Sequence, residues 1–228
     1  MSENAQTPTM DSERLIAACV LSVVGGFLDI YTYLFRGNVF ANAVTGNMVL
    51  FGFHLANGKW EMCGRYLLAI VSYAFGIFMA NLIHARLPGS RRITWNQFVI
   101  LVELVCLLPV CFIPYGRWDF LVNSGIAFVC ALQVQTFRRV HGLPFASTMC
   151  TGNLRSGTDA LYHGAMTHDR TLLRRGGCYF GVIGCFLAGA ALGGVVTSRF
   201  SQHAVLAAVL FQGAAFILMW DRRSGLED

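Results

Sequence analysis

Leu15–Phe35 reads LIAACVLSVVGGFLDIYTYLF, and this stretch decides the fold class. Its 21 residues hold one charged side chain, Asp29. A helix needs about 20 mostly apolar residues to cross the ~30 Å hydrocarbon core of a bilayer. Five further runs have similar character: Tyr66–Ala85, Phe98–Ile113, Phe120–Phe137, Cys178–Val196 and Ala204–Trp220. Composition agrees, with 55% hydrophobic residues, 13% charged and a mean hydropathy of +0.55. A soluble domain carries about 25% charged residues. In lipid every backbone polar group must be paired within the protein, which leaves helices or a closed barrel. The runs are continuous and lack the two-residue alternation of barrel strands, so the expected class is an all-α integral membrane protein of about six transmembrane helices. The six runs predict a polar N-terminal tail (1–14), membrane segments at 15–116 and 117–220, and a C-terminal tail (221–228).

Charge and cysteine content narrow the function classes. The net charge of +5 comes from Lys and Arg residues flanking the runs, where topology determinants belong, so no nucleic-acid partner is expected. The N-terminus lacks a basic region ahead of a short apolar core, and no removable signal peptide is read there. Of the eight cysteines, Cys19, Cys106, Cys111, Cys130 and Cys185 lie within apolar runs. None forms a Cys-x-x-Cys pair, so they read as small buried hydrophobes, with neither metal nor disulfide framework expected. Tyr66, Trp95, Tyr115, Trp118 and Trp220 stand at run ends, as interfacial aromatics do.

Two stretches are ambiguous, Val39–Ala56 and Leu143–Leu154. The second is too short to span, at about 18 Å of helix, whereas the first would reach about 27 Å and either cross or fold back as a re-entrant segment. If neither crosses, twelve of the 17 Lys and Arg residues fall on one side, which the positive-inside rule makes cytoplasmic together with both termini. Seven spans give the same split with the N-terminus outside.

An internal repeat favours six. Phe40-Ala41-Asn42-Ala43-Val44-Thr45-Gly46-Asn47-Met48 returns, with one extra residue, as Phe145-Ala146-Ser147-Thr148-Met149-Cys150-Thr151-Gly152-Asn153-Leu154. Each copy follows an apolar run and a glycine turn (Arg36-Gly37, His141-Gly142). Each precedes a run with small residues four apart (Gly76 and Ala80; Gly189 and Gly193), a spacing that lets helix backbones approach closely in lipid. Three crossings per repeat put the second copy in upside down, giving two inverted three-helix repeats, each with a re-entrant or broken Thr-Gly-Asn segment.

Inverted-repeat transporters place half-helix ends near the midplane as solute sites. Thr45 and Thr151 are competent N-caps, Gly46 and Gly152 permit a turn or close approach, and Asn47 and Asn153 each bring a donor and an acceptor. The structural alternative is a tight helix crossing with these groups satisfied internally. Asp29 and Glu103 are the acidic residues within spans, and an intramembrane carboxylate is a functional-site hypothesis by default. Asp29 is the functional candidate, against a hydrogen bond to a neighbour such as Gln133. Glu103, five residues after Phe98, reads as structural or headgroup-level. The two lie on the order of 13 Å apart in depth, too far to share a proton. Asn81, Asn123, Gln133, Gln135 and Gln212 read as interhelical glue. His84 and His163 read as interfacial side chains. Ser124-Gly125 has no histidine placed to activate it, and no enzyme is expected.

Gly25-Gly26-Phe27-Leu28-Asp29, Phe40 to Asn47, Gln133 with Arg138-Arg139, Gly142-Leu143-Pro144 and Thr151-Gly152-Asn153 together resemble the YoaK family of bacterial inner-membrane proteins, from about Leu15 to Trp220. The family pattern has Gln-Asn where this chain has Gln133-Val134. The resemblance implies a multi-pass protein of the bacterial inner (plasma) membrane and supplies no substrate. The expected function is a passive or ion-coupled small-solute transporter or channel, with Asp29, Thr45, Gly46, Asn47, Gln133, Thr151, Gly152 and Asn153 binding the solute and no cofactor. The alternative is a non-transporting scaffold or sensor. The lipid bilayer and an unknown small solute are the expected partners, and a homo-oligomer stays open.

Overall fold

The computed structural model describes residues 12–86, 95–137, 139–140, 143–144 and 148–220. Residues 1–11 and 221–228 of the two predicted tails lie outside the described residues. The chain is all-helical: α1 (Ser12–Phe35), α2 (Val44–Ala56), α3 (Trp60–Arg86), α4 (Trp95–Leu107), α5 (Asp119–Thr136), α6 (Cys150–Thr167), α7 (Arg170–Phe200) and α8 (Val205–Trp220). Short 3-10 turns, Leu108–Phe112 and Ser201–Ala204, follow α4 and α7. The extended pairing among the described residues is a two-residue antiparallel contact, Arg139–Val140 on Leu143–Pro144.

Local chemistry sets the boundaries. α1 stops where Gly37 and Asn38 take positive φ, +88° and +61°, a conformation glycine and asparagine adopt most readily. Pro109 lacks an N–H and crowds the carbonyl four residues back, so α4 tightens into the 3-10 turn. α7 is capped by Asp169, whose carboxylate accepts from the N–H groups of Thr171 at 2.7 Å and Leu172 at 3.4 Å.

Four stretches are long and apolar enough to cross a membrane: Leu15–Phe35, Trp60–Arg86, Trp95–Phe112 and the 49-residue Arg170–Leu218. Five of the six predicted runs fall within them to within two residues at an end, two in the last. The sixth, Phe120–Phe137, is α5, whose Asp119, Asn123, Ser124, Gln133 and Gln135 dilute its hydropathy. Most of α5 is buried by its neighbours, which is why it tolerates them. Large apolar side chains instead face outward on the other helices, among them Phe75, Phe78, Leu187, Val195, Leu210 and Ile217. Outward apolar surface of that extent suits a lipid surround.

Helices pair in a regular network. α1 packs chiefly on α7, α3 on α5, α2 on α3, α6 on α7, α1 on α8, α4 on α5 and α4 on α8. Small residues make the first two crossings. A Cβ on Gly76 would stand 2.6 Å from the Phe128 carbonyl oxygen and 2.7 Å from the Ala131 Cβ. On Gly189 it would collide with the Val23 backbone, and on Gly26 with that of Phe186. The four-residue spacing thus marks backbone-to-backbone contact in both halves.

The C-terminal end of α1 is pinned by a buried cation. Arg36 is fully buried and its guanidinium donates to the Tyr31 hydroxyl at 3.0 and 2.8 Å, the Asp119 carboxylate at 2.9 Å, and the carbonyls of Pro114, Ile113 and Val110 at 3.1, 2.7 and 3.3 Å. The Tyr115 ring lies 4.5 Å from its centre. Asn123 returns a bond, donating to the Arg36 carbonyl at 2.6 Å. Arg36 is therefore a structural pin, where the charge pattern suggested a residue at the membrane edge. Tyr66 also turns inward, 1% exposed with its hydroxyl donating to Asn38, so it is no interfacial anchor.

Two outcomes follow from these contacts. Gly76→Leu and Gly189→Leu each lose about 1–3 kcal/mol or more by overpacking, read as a lowered unfolding temperature in detergent. Gly184→Leu, where nothing lies within 4 Å of a Cβ, leaves it unchanged. Asp119→Ala strands the Arg36 charge and costs about 3–5 kcal/mol, measured the same way.

Candidate functional site

The buried carboxylate of Asp29 is where the two Thr-Gly-Asn segments converge. Asp29 is 6% exposed and accepts from the backbone N–H of Asn42 at 2.6 Å and of Ala43 at 3.4 Å. Those residues lead directly into α2, so an intramembrane carboxylate meets the positive end of a helix. One turn earlier on the same face of α1, the Gly25 carbonyl accepts from the Asn42 amide at 3.3 Å. A Cβ on Gly25 would collide with the Thr148 methyl, and Thr148 leads into α6. Only glycine lets α1 pass that loop.

Other groups gather around this point. Tyr73 of α3, Cys130 of α5 and Cys150 at the head of α6 all lie within electrostatic reach of Asp29. Burial pushes the Cys150 thiol above its usual range and the Asp29 charge adds to the shift. The arrangement can hold a proton or cation on Asp29, and it can present backbone donors from two chain segments to something small.

The motif side chains themselves are arranged differently from expectation. The N-caps are Ala43 for α2 and Met149 for α6, neither with a side-chain capping bond. Thr45 and Thr151 sit one residue inside their helices and are exposed, so the predicted capping role is corrected. The Asn47 amide is spent internally, donating to the Phe40 carbonyl at 2.9 Å and accepting from the Phe40 N–H at 2.9 Å. It closes the loop from Phe40 to Asn47 that carries Asn42 to Asp29. Gly46 lies 3.1 Å from the Phe40 ring when a Cβ is built, and that ring stacks on Tyr33 at 4.2 Å. Gly152 meets nothing within 4 Å. Asn153 is buried.

Gln133 is not brought to Asp29. It donates to the Leu21 carbonyl at 3.3 Å, eight residues and roughly 12 Å along α1. Of the polar residues expected to bind helices together, Gln135 donates to Asn81 and Asn123 to Arg36. Gly25, Asn42 and Thr148 were missed as site residues. The available signal was the four-residue spacing of Gly25 and Asp29, which puts both on one helical face.

A family model described as "Protein of unknown function (DUF1275)" matches residues 17–218. The chain belongs to that family. It is also similar to "UPF0700 transmembrane protein YoaK" of Bacillus subtilis (strain 168), 22% identical over 144 residues. That match covers 60% of this chain and 62% of the relative, so the chain spans less than two thirds of that relative's length. No solved structure matches. The resemblance to YoaK is thereby borne out, and with the four apolar stretches it makes this a member of a membrane-protein family.

The Asn47 geometry gives a direct outcome. Asn47→Ala leaves both Phe40 backbone groups unpaired at a cost of about 1–3 kcal/mol, seen as reduced thermal stability. Thr45→Val, at an exposed position, leaves stability unchanged.

Proposed function

We propose that this protein moves a small solute across the bacterial inner membrane, passively or coupled to a proton or cation, with Asp29 at the centre of the path. The observation that carries the reading is the Asp29 carboxylate. It is buried in a spanning helix, has no cationic partner among the described residues, and is held by backbone N–H groups at the start of α2. Helix N-termini favour anions, and here Asp29 supplies that anion from within. Protonation or cation binding at Asp29 weakens its hold on those donors and frees them for a polar group of the solute. The loop before α6 packs on the same face at Gly25, so a change at Asp29 reaches both segments.

The finer architecture belongs to the same proposal: six crossings in two inverted repeats, α1–α4 and α5–α8. Its support is the packing network, which is unchanged when α1, α2, α3 and α4 are exchanged with α5, α6, α7 and α8. The pairs α1 with α7 and α3 with α5 swap into each other, as do α2 with α3 and α6 with α7, and α1 with α8 and α4 with α5. The distribution of basic residues supports both termini in the cytoplasm. Removing the buried Arg36 from the opposite side's count sharpens that distribution.

A second reading, a scaffold or sensor that transports nothing, is favoured by Asn47, whose amide serves the loop alone. Solute-dependent stabilisation separates the two. A solute at 100 times its Kd raises stability by about 2.7 kcal/mol. A screen of small polar solutes finds one that stabilises the native chain, and Asp29→Asn abolishes that shift while remaining folded. The same solute enters liposomes holding the native protein and is excluded from those holding Asp29→Asn. A stabilising solute that Asp29→Asn binds and transports normally overturns the assignment of Asp29.

A further inference from the structure

Glu103 and Gln212 share a feature that nothing above uses. Both are 0% exposed, and all four of their side-chain polar atoms, both carboxyl oxygens and both amide atoms, lack a hydrogen-bond partner. Glu103 was expected to be structural or headgroup-level. It is enclosed by protein on all sides, and its unpartnered oxygens leave it no structural bond.

The two side chains come from helices that pack together, α4 and α8. Ile100 shares a cluster with Ala215, and Leu107 shares one with Ala204, Val205 and Ala208. The start of α4 therefore meets the end of α8 and the end of α4 meets its start, so the pair is antiparallel. Glu103 lies three residues after Ile100 and four before Leu107. Gln212 lies three before Ala215 and four after Ala208. Both spacings keep each side chain on the contact stripe of its helix, and both put it at the same level.

A carboxylate at this position, ionised and unpaired, costs several kcal/mol. No cation among the described residues offsets it: α8 carries no titratable side chain, and the 3-10 turn after α4 contributes only Cys111. On α4 and α5 the groups that face it are the thiols of Cys106 and Cys130. Asp119, at the far end of α5, is already held by Arg36. A metal ion fits poorly, since a hard cation takes about six or more oxygen ligands. One carboxyl and one amide provide three, and the surrounding Ile100, Leu107, Ala208 and Ala215 provide none.

We infer that Glu103 is an intramembrane proton-binding site at the α4–α8 contact, its carboxyl carrying the proton; the facing Gln212 amide makes no hydrogen bond to it in the structure and is the partner that a turn of the two side chains toward each other supplies. A neutral acid has one O–H donor and keeps acceptor capacity, and a primary amide matches both. The site is separate from Asp29 and does not rest on the transport reading.

Infrared spectroscopy of the full-length protein in bilayers tests this at neutral pH, using the carbonyl stretch of protonated carboxylic acids. The native protein shows such a band, Glu103→Gln removes it, and Asp29→Asn leaves it in place. Because Gln mimics the neutral acid in shape and polarity, Glu103→Gln stays folded with an unfolding temperature within a few degrees of native. Gln212→Leu, which keeps Glu103, shifts the band by removing its partner. A band unaffected by Glu103→Gln, or no band at all, shows an ionised Glu103 and overturns the inference. An unshifted band in Gln212→Leu overturns the pairing. If Glu103→Gln fails to fold, the Gln212→Leu shift decides alone.

Discussion

The buried guanidinium of Arg36 sets the geometry on which the rest of the membrane core depends. Taking an Arg charge out of water is expensive unless its donors are satisfied and its charge is met. Here the charge is met by Asp119 and the donors by three carbonyls and a tyrosine hydroxyl. Apart from Tyr31, which lies on α1 itself, those partners come from the 3-10 turn after α4, the connector behind it and the start of α5. One side chain thus ties the end of the first helix to the junction between the two halves of the chain. With that end fixed, the level of Asp29 follows, seven residues and about 10 Å back along α1. The loop after Arg36 must also return toward the centre, since Gly37 and Asn38 reverse the chain at once.

Arg36 and Asp29 solve the same problem in opposite ways. Arg36 has a full counter-charge and a closed set of bonds, which suits a permanent fastening. Asp29 is held by backbone amides alone, and those bonds are stronger to an ionised carboxylate than to a neutral acid. A group whose bonding changes when one proton or cation arrives can switch, whereas a fully paired ion cannot without large cost. This difference is why the proposed function rests on Asp29 and not on Arg36. The Phe40–Asn47 clamp belongs to the structural side, because it stiffens the loop that presents Asn42 and Ala43 to Asp29.

What was legible in the sequence were the features that depend on composition and spacing. The apolar runs became helices, and of the small residues four apart Gly76, Gly189 and Gly193 meet the backbone of a neighbouring helix while Ala80 is buried. The repeated Thr-Gly-Asn segments became helix starts near one point. Illegible were the choices made by loops folding back. Thr45 and Thr151 look like caps, yet the helices start one or more residues earlier, at Val44 and Cys150. Asn47 looks free until the loop brings Phe40 beside it. Arg36 sits at the end of an apolar run, where most arginines face the headgroups, and only the Asp119 contact shows that it turns inward. Asp29 is recognisable from its sequence position, but its partners Asn42 and Ala43 are not.

Departures from internal symmetry carry the last step. On the proposed repeat, Asp29 stands eleven residues before Phe40, and the residue eleven before Phe145 is Val134. Glu103 on α4 likewise faces Gln212 on α8 rather than a second acid. In both places the first half carries a carboxyl and the second a neutral side chain. Physical chemistry gives a reason at α4–α8, where equivalent positions meet across the contact. Two acids brought together there would each disfavour ionisation of the other, and both would be left without a cation in a low-dielectric setting. One acid facing one amide avoids the repulsion and keeps a site that accepts a single proton. On the proposed repeat, then, the paired helix geometry serves packing in both halves, while the single acids of one half mark the two proposed proton or cation sites.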